Sequence, residues 1–329
     1  MNEYKLLSQP MTNAAHVSET LNVLASEGWR VSSVSASRPS PLRGESALIL
    51  LTRGSEVHLD SGGQVITLDY PVDPIPRYGY GQPAHPQLLS MFEAKRDQFR
   101  EMLDRIESYR DDLLKIPAVP SNELSPSWIN HWLAGLDASA LYTFVADLNP
   151  KLYFEVGSGV STRFVRRAIQ DHGLRTRIRS IDPHPRVEVD SLCDEVIRTR
   201  LEDSDLELFD ELEPGDILFI DSSHRSFMNS DVTVLFLDIL PRLPAGVNLH
   251  IHDIRLPYDY PPEWGPRFYS EQYLLAVHLL AGGPGEILLS NAFISQDPEL
   301  SHALDALWDE PALEGVQRHG ESIWLRTGR

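Results

Sequence analysis

The stretch Lys151-Leu152-Tyr153-Phe154-Glu155-Val156-Gly157-Ser158-Gly159-Val160-Ser161-Thr162 decides the fold. Pro150 precedes a short apolar run, and two glycines two apart close it. From Ser161 onward, Phe164, Val165 and Ala168 follow helical spacing. Strand, tight glycine turn and helix start, in that order, open a nucleotide-binding α/β unit. Gly157 lets the chain turn sharply, and Gly159 leaves bare backbone for a ligand to lie against. Thr162 stands where the dinucleotide fingerprint has its third glycine. That glycine serves close helix–strand packing below a pyrophosphate, so its absence argues against a nicotinamide cofactor.

Beyond this unit, strand and helix patterns alternate, as in a parallel sheet covered by helices on both faces. Strands are expected at 151–155, 178–182, 195–199, 216–221, 247–252, 286–290 and 322–326. The last two lack a crossover pattern of the same kind. In open α/β sheets ligands sit beyond the carboxyl ends of the strands, so the last residues of each strand carry the chemistry. These are Glu155, Asp182, the pair Glu202-Asp203, Asp221 with His224, and His252-Asp253.

The acidic-x-Gly-x-Gly segment, with Asp182 and the later strand ends in order, resembles the class I S-adenosylmethionine-dependent methyltransferases over roughly residues 126–329. The resemblance implies an α/β fold with a doubly wound, mostly parallel seven-stranded sheet, the Rossmann-like methyltransferase fold. Its last two strands would form an antiparallel edge. It implies S-adenosyl-L-methionine as cofactor, held at Gly157 and Gly159. Glu155 would help to hold the amino-acid end through the loop, and Ser158, Ser161 and Thr162 would add hydroxyl donors. Asp182 would accept hydrogen bonds from both ribose hydroxyls, and Glu202 or Asp203 would meet the adenine amino group. For those two, an exposed acidic run is the competing reading.

Methyl transfer from a sulfonium needs alignment and a deprotonated nucleophile. A hydroxyl gives up its proton only to a base or beside a metal. His224 and His252 are the candidate bases, with Asp221 the third catalytic candidate. Sub-families that methylate sugar or catechol hydroxyls hold Mg²⁺ with acidic residues after the fourth and fifth strands. Asp221, His252 and Asp253 occupy those places here. A histidine in the set departs from the oxygen ligands that magnesium prefers. The expected activity is methylation of a small-molecule acceptor at a hydroxyl. A non-catalytic S-adenosylmethionine-binding protein and a metal-dependent hydroxylase-like enzyme on the same fold are the alternatives. The loop Leu256–Trp264 and the residues after it read as a lid. Arg267 there either holds an anionic group of the acceptor or pairs with Glu271 one turn on.

The rest of the sequence sets limits. Twenty-nine basic against 48 acidic residues give a net charge of -19, which disfavours nucleic acid and anionic membranes as partners. The single cysteine, Cys193, excludes an internal disulfide framework. No signal peptide or membrane-length apolar run is visible, so the cytoplasm is the expected compartment.

Residues 1–54 are expected to form a small α+β accessory domain. Strands are read at Tyr4–Leu7, Trp29–Ser35 and Ala47–Thr52, with a helix through Val17, Leu21 and Leu24 that Gly28 ends. Glu27-Gly28-Trp29-Arg30-Val31 and the Ala47–Leu51 run resemble a small bacterial β-α-β-β domain. Residues 55–125 read as a linker followed by a long amphipathic helix from about Pro86 to Ile116. Phe92, Phe99, Met102, Ile106, Tyr109 and Leu113 follow nearly heptad spacing there, broken by Lys95. That helix either packs across the catalytic domain or makes a homodimer. The catalytic domain is read as 126–329. Trp128, Trp132, Tyr142 and Phe144 lead into it, with Asn130 and His131 as polar pocket candidates.

Overall fold

The computed structural model describes residues 3–10, 21, 24, 30–36, 46–53, 69–185 and 188–328. The chain divides into two compact units, Met1–Val72 and Asp73–Arg329.

In the first unit, β1 (Glu3–Pro10), β2 (Arg30–Ala36) and β3 (Ser46–Arg53) form an antiparallel sheet with β3 in the centre. Leu21 and Leu24 are helical. Val17 and Gly28, the Gly28-Trp29 turn, and positions 55–68 of the expected linker lie outside the described residues.

The second unit is built on a seven-stranded sheet. Its strands are β4 (Leu152–Val156), β5 (Arg177–Ile181), β6 (Glu195–Ile197), β7 (Ile217–Ile220), β8 (Asn248–Ile251), β9 (Gly285–Ser290) and β10 (Ile323–Thr327). Their order is β6-β5-β4-β7-β8-β10-β9. The first five run parallel, and β10 inserts antiparallel between β8 and β9. All seven expected strands are present, with ends shifted by a residue or two. The central strands are buried along their whole length, which is why they read as continuous apolar runs. The chain crosses from one side of the sheet to the other between β4 and β7. A crevice opens there at the carboxyl ends.

Helices α1 (Pro86–Glu93), α2 (Arg96–Glu107) and α3 (Arg110–Leu113) replace the single long helix expected over 86–116. The breaks fall at Ala94-Lys95 and Ser108-Tyr109, the first at the residue that interrupts the heptad spacing. Leu88, Phe92, Phe99, Leu103, Ile106 and Leu113 are all buried within the second unit, and Phe92 and Phe99 meet Phe293 edge-on at 5.9 Å. The apolar face of this segment is thus covered by the chain's own core, in line with the reading that it packs across the catalytic domain. Helices α4 (Gly135–Leu148), α5 (Val160–His172), α6 (Asp231–Val234) and α7 (Glu271–Leu280) complete the elements that frame the crevice.

Candidate functional site

At the end of β4 the backbone is locked to both neighbouring strands. Gly157 N–H donates to Ile181 O, and Asp221 N–H donates to Val156 O, each at 2.9 Å. Gly157 has φ +84, and a Cβ there would lie 2.2 Å from the Asp221 carbonyl oxygen. Only glycine fits. At Gly159 a Cβ would meet no atom within 4 Å, so the turn opens onto free space as expected.

Glu155 is fully buried beneath this turn. Its carboxylate accepts from Thr162 Oγ1 at 2.5 Å and from Ser161 Oγ and Tyr153 Oη at 3.2 Å. Thr162 Oγ1 in turn accepts from Gly159 N–H at 3.1 Å. Burial raises the Glu155 carboxyl to about 8, outweighing those three donors. Glu155 and Thr162 are both fully buried, and their hydrogen bonds tie the turn to the strand beneath it.

Above the turn lies a cavity of about 370 Å³ lined by Gly157, Ser158, Asp182, Glu202, Asp221 and Ser222, among others. Asp182 bridges two strand ends. One oxygen accepts from Ser158 N–H at 2.8 Å and Ser158 Oγ at 3.2 Å, and the other from His184 N–H at 2.8 Å. Of the acidic pair after β6, Glu202 faces this cavity, whereas exposed Asp203 pairs with Arg200 at 2.5 Å. Ser161 borders a smaller hollow of about 40 Å³, shared with Ser158, Gly159, Trp132 and Asp221.

A second cavity, of about 240 Å³, adjoins the first through Asp221, Ser222 and Ser223, which line both. It is polar. His224, His252, Asp253 and Asp221 meet there, as their strand-end positions suggest, and the structure adds Asp137, His319 and Glu321. Both His224 and Asp253 hold the left-handed backbone conformation, at φ +61 and +53. Such conformations persist in non-glycine residues only when the surroundings fix them.

His224 is fixed on every side. Its Nδ1 lies 2.8 Å from Glu271, and its Nε2 lies 3.2 Å from Asp221 and 3.3 Å from Asp253. Its carbonyl accepts from Ser270 N–H at 2.7 Å, and Ser222 Oγ accepts from its N–H at 3.0 Å. Burial alone would lower its pKa. Hydrogen bonds with Asp221 and Glu271 reverse this and hold it well above the ordinary value.

His252 differs. It is buried at the end of β8, and its Nδ1 has no hydrogen-bond partner among the described residues. Asp253 and Asp221 carboxylates stand 3.5 and 3.8 Å from that atom, and Asp137 stands 3.9 Å from Nε2. Burial lowers its pKa, but the charges of Asp253, Asp221 and Asp137 together raise it.

The Asp221, His252 and Asp253 set does not fit a metal. The His224 ring fills the space between the two carboxylates, and no group of three or more His, Cys, Asp or Glu among the described residues is disposed to hold an ion. The metal-ligand expectation gains no support from this arrangement. The physical reason is that a side chain from the preceding strand end takes the position a cation would need.

Other residues of the site were not read from the sequence. Asp137, on α4, is fully buried and accepts from Asn291 Nδ2, Ser322 Oγ and Glu321 N–H. Glu271, at the start of α7, is fully buried against His224. Neither belongs to a strand end, so the strand-end rule passes over both. Glu271 lies against His224 and Ser222 rather than Arg267. Of the earlier polar candidates, His131 lines the second cavity, while Asn130 caps its own turn through Trp132 N–H and Leu133 N–H.

The loop after β8 is a packed wall more than a free lid. Tyr260 is buried, stacks with Trp264 and meets Tyr269 and Tyr273 edge-on, and Asp259 accepts from Arg77 N–H and Tyr78 N–H at 2.6 and 3.0 Å.

Residues 154–254 match the family model described as "Methyltransferase domain". The matched segment runs from the first strand end to the fifth, through every residue of the glycine turn. The chain matches no curated protein. Among solved structures, it is similar to the SAH-bound Podospora anserina methyltransferase PaMTH1, at 13% identity, over 77% of this chain and 100% of that one, with a TM-score of 0.37. The plantazolicin methyltransferase BpumL with SAH matches at 13% identity over 70% and 100%, TM-score 0.35. The branched-chain polyamine synthase of Thermus thermophilus matches at 11% over 68% and 64%, TM-score 0.35. The match to a methyltransferase domain falls on the five parallel strands of the second unit, whose last strand is reversed.

Proposed function

We propose that the chain is an S-adenosylmethionine-dependent methyltransferase that acts on a small acceptor at a hydroxyl, with His252 as the base. The observation that carries this reading is the shared wall of the two cavities. Asp221, Ser222 and Ser223 line both, so whatever fills the first meets whatever fills the second at that point.

The first cavity fits S-adenosyl-L-methionine. Its volume of about 370 Å³ is within the range of small-molecule sites, and open space stands beside Gly159. Asp182 would take the ribose hydroxyls and Glu202 the adenine amino group. Ser158 and Ser161 would meet the amino-acid end in the smaller hollow. Glu155 and Thr162 hold the glycine turn that all of these depend on. When bound, the cofactor supplies an electrophilic methyl group on a sulfonium.

In the second cavity, His252 Nδ1 has no hydrogen-bond partner among the described residues and would take the proton of an acceptor hydroxyl. Asp253, Asp221 and Asp137 stabilise the resulting imidazolium. His224 is already committed on both ring nitrogens, so its task is to hold Asp221 and Asp253 in place. Asp221 orients the acceptor at the cavity boundary. No step uses a divalent ion, because the donors do not fit one.

Calorimetric titration with S-adenosylhomocysteine tests the cofactor half. The expected result is one site per chain, weakened about 10- to 100-fold by Asp182→Ala, since two hydrogen bonds to a carboxylate are lost. Equal binding by wild type and variant would overturn the assignment.

A further inference from the structure

The second cavity has an asymmetry that the proposed chemistry leaves unused. Its floor carries the carboxylates and histidines already described. Its wall carries two guanidiniums, those of Arg225 and Arg267. The pair is built around one ring. The Arg225 guanidinium lies 5.1 Å from the Tyr269 ring centroid, and the Arg267 guanidinium lies 5.5 Å from the same ring and 4.5 Å from that of Trp264. Arg225 is anchored further, since its Nε donates to Arg267 O and its Nη1 to Ser223 O, each at 2.9 Å.

Neither guanidinium forms an ion pair with a described carboxylate, although the chain has far more acidic than basic residues. Most of the arginines framing this unit are paired; Arg179 with Glu195, Arg255 with Glu321 and Arg318 with Asp309 are examples. Glu271, the sequence neighbour best placed to neutralise Arg267, is turned inward to His224 instead. Two like charges brought to one aromatic ring repel each other, and stacking compensates only partly. An anion seated between them would remove that repulsion, and the planar fork of each guanidinium matches a carboxylate or phosphate.

We propose that Arg225 and Arg267 form an anion clamp in the acceptor cavity, so that the acceptor carries a carboxylate or phosphate group besides the group that is methylated. This rests on the reading of the second cavity as the acceptor site. The acidic floor and the basic wall then set the orientation. The neutral, proton-bearing end of the acceptor goes toward His252, and its anionic end is excluded from the floor by Asp137, Asp221 and Asp253.

The test uses the full chain saturated with S-adenosylhomocysteine and three probes, phenyl phosphate, benzoate and benzyl alcohol. Binding is followed by tryptophan fluorescence, to which Trp264 against Arg267 contributes, and by calorimetry. The two anions are expected to bind and the alcohol not to. Arg267→Gln and Arg225→Gln should each weaken anion binding about tenfold or more, the loss expected of a charge-assisted contact. Arg175→Gln, an exposed arginine far from the cavity lining, should leave it unchanged.

Tighter phenyl phosphate would identify a phosphorylated acceptor, and tighter benzoate a carboxylated one. Failure of both anions to bind wild type, or equal binding by wild type and the Arg225→Gln/Arg267→Gln double variant, would overturn the clamp. Affinity for S-adenosylhomocysteine is measured separately on each variant. Its loss in wild type would count against the cofactor reading, whereas its retention with anion binding unchanged in the double variant counts against the clamp alone.

Discussion

At the scale of single residues, the site turns on two histidines that lie near the same carboxylates and do different work. His224 has both ring nitrogens beside carboxylates and a backbone held in the left-handed region. His252 has a ring nitrogen with no hydrogen-bond partner among the described residues, and it lines the cavity that adjoins the one proposed for the cofactor. A base must be neutral to act. Asp253, Asp221 and Asp137 hold the charged form of His252, so its proton leaves only above the ordinary histidine range. The rate of methyl transfer should therefore rise with pH through a value above 6.5 and then level off. His252→Gln should lower kcat by about 10²- to 10⁴-fold and abolish that rise while S-adenosylhomocysteine affinity is unchanged. A pH–rate profile on wild type and variant checks both points, and an unaltered profile in the variant would remove His252 from the base role.

At the scale of elements, the glycine turn between β4 and α5 depends on a buried acid. Glu155 carries a raised pKa of about 8, so the folded state takes up a proton that the unfolded chain, near 4.5, releases. The sign follows from linkage. Stability from this group is fully present below about pH 4.5 and is lost as pH rises toward 8, by a total on the order of 5 kcal/mol before local relaxation. Glu155→Gln cannot ionise. Relative to wild type, its Tm should climb between pH 5 and pH 9, read by thermal denaturation; a constant offset would show that Glu155 does not titrate there.

The opposite side of the same turn admits no side chain. Gly157→Ala would drive a methyl group into the Asp221 carbonyl and keep an alanine at positive φ. A loss of about 2–4 kcal/mol is expected in denaturant unfolding, together with weakened S-adenosylhomocysteine binding. Asp221 also borders the acceptor cavity, so this one backbone approach joins both halves of the site.

At the scale of the whole molecule, every residue assigned to cofactor, base or clamp belongs to the unit Asp73–Arg329. Helices α1, α2 and α3 spend their apolar faces inside that unit. A chain of residues 73–329 should thus fold by itself and bind S-adenosylhomocysteine as the full chain does, within about twofold. Calorimetry on the two proteins checks this, and a large loss would assign the first unit a part in the site. The net charge of -19 bears on ligands at the same scale. An anionic acceptor meets a repulsive surface everywhere except where local arginines stand unpaired, which sharpens the contribution of Arg225 and Arg267. Among the described residues, no helix is long and apolar enough to cross a membrane.

The sequence by itself determined the sheet and the cofactor turn. Period, glycine placement and strand-end residues are local signals, and buried parallel strands write themselves as apolar runs. Hence β4 to β10, the forced Gly157, and Asp182, Asp221, His252 and Asp253 at the strand ends could all be read before any coordinates. Only the tertiary structure decided what lies between those ends. Asp137 and Glu271 arrive from helices far along the chain, and His224 slips between two carboxylates where a cation was expected. Arg267 lies against Trp264 and Tyr269, while Glu271 lies against His224. Such choices depend on which side chains compete for one space, and competition across the fold leaves no mark on local spacing.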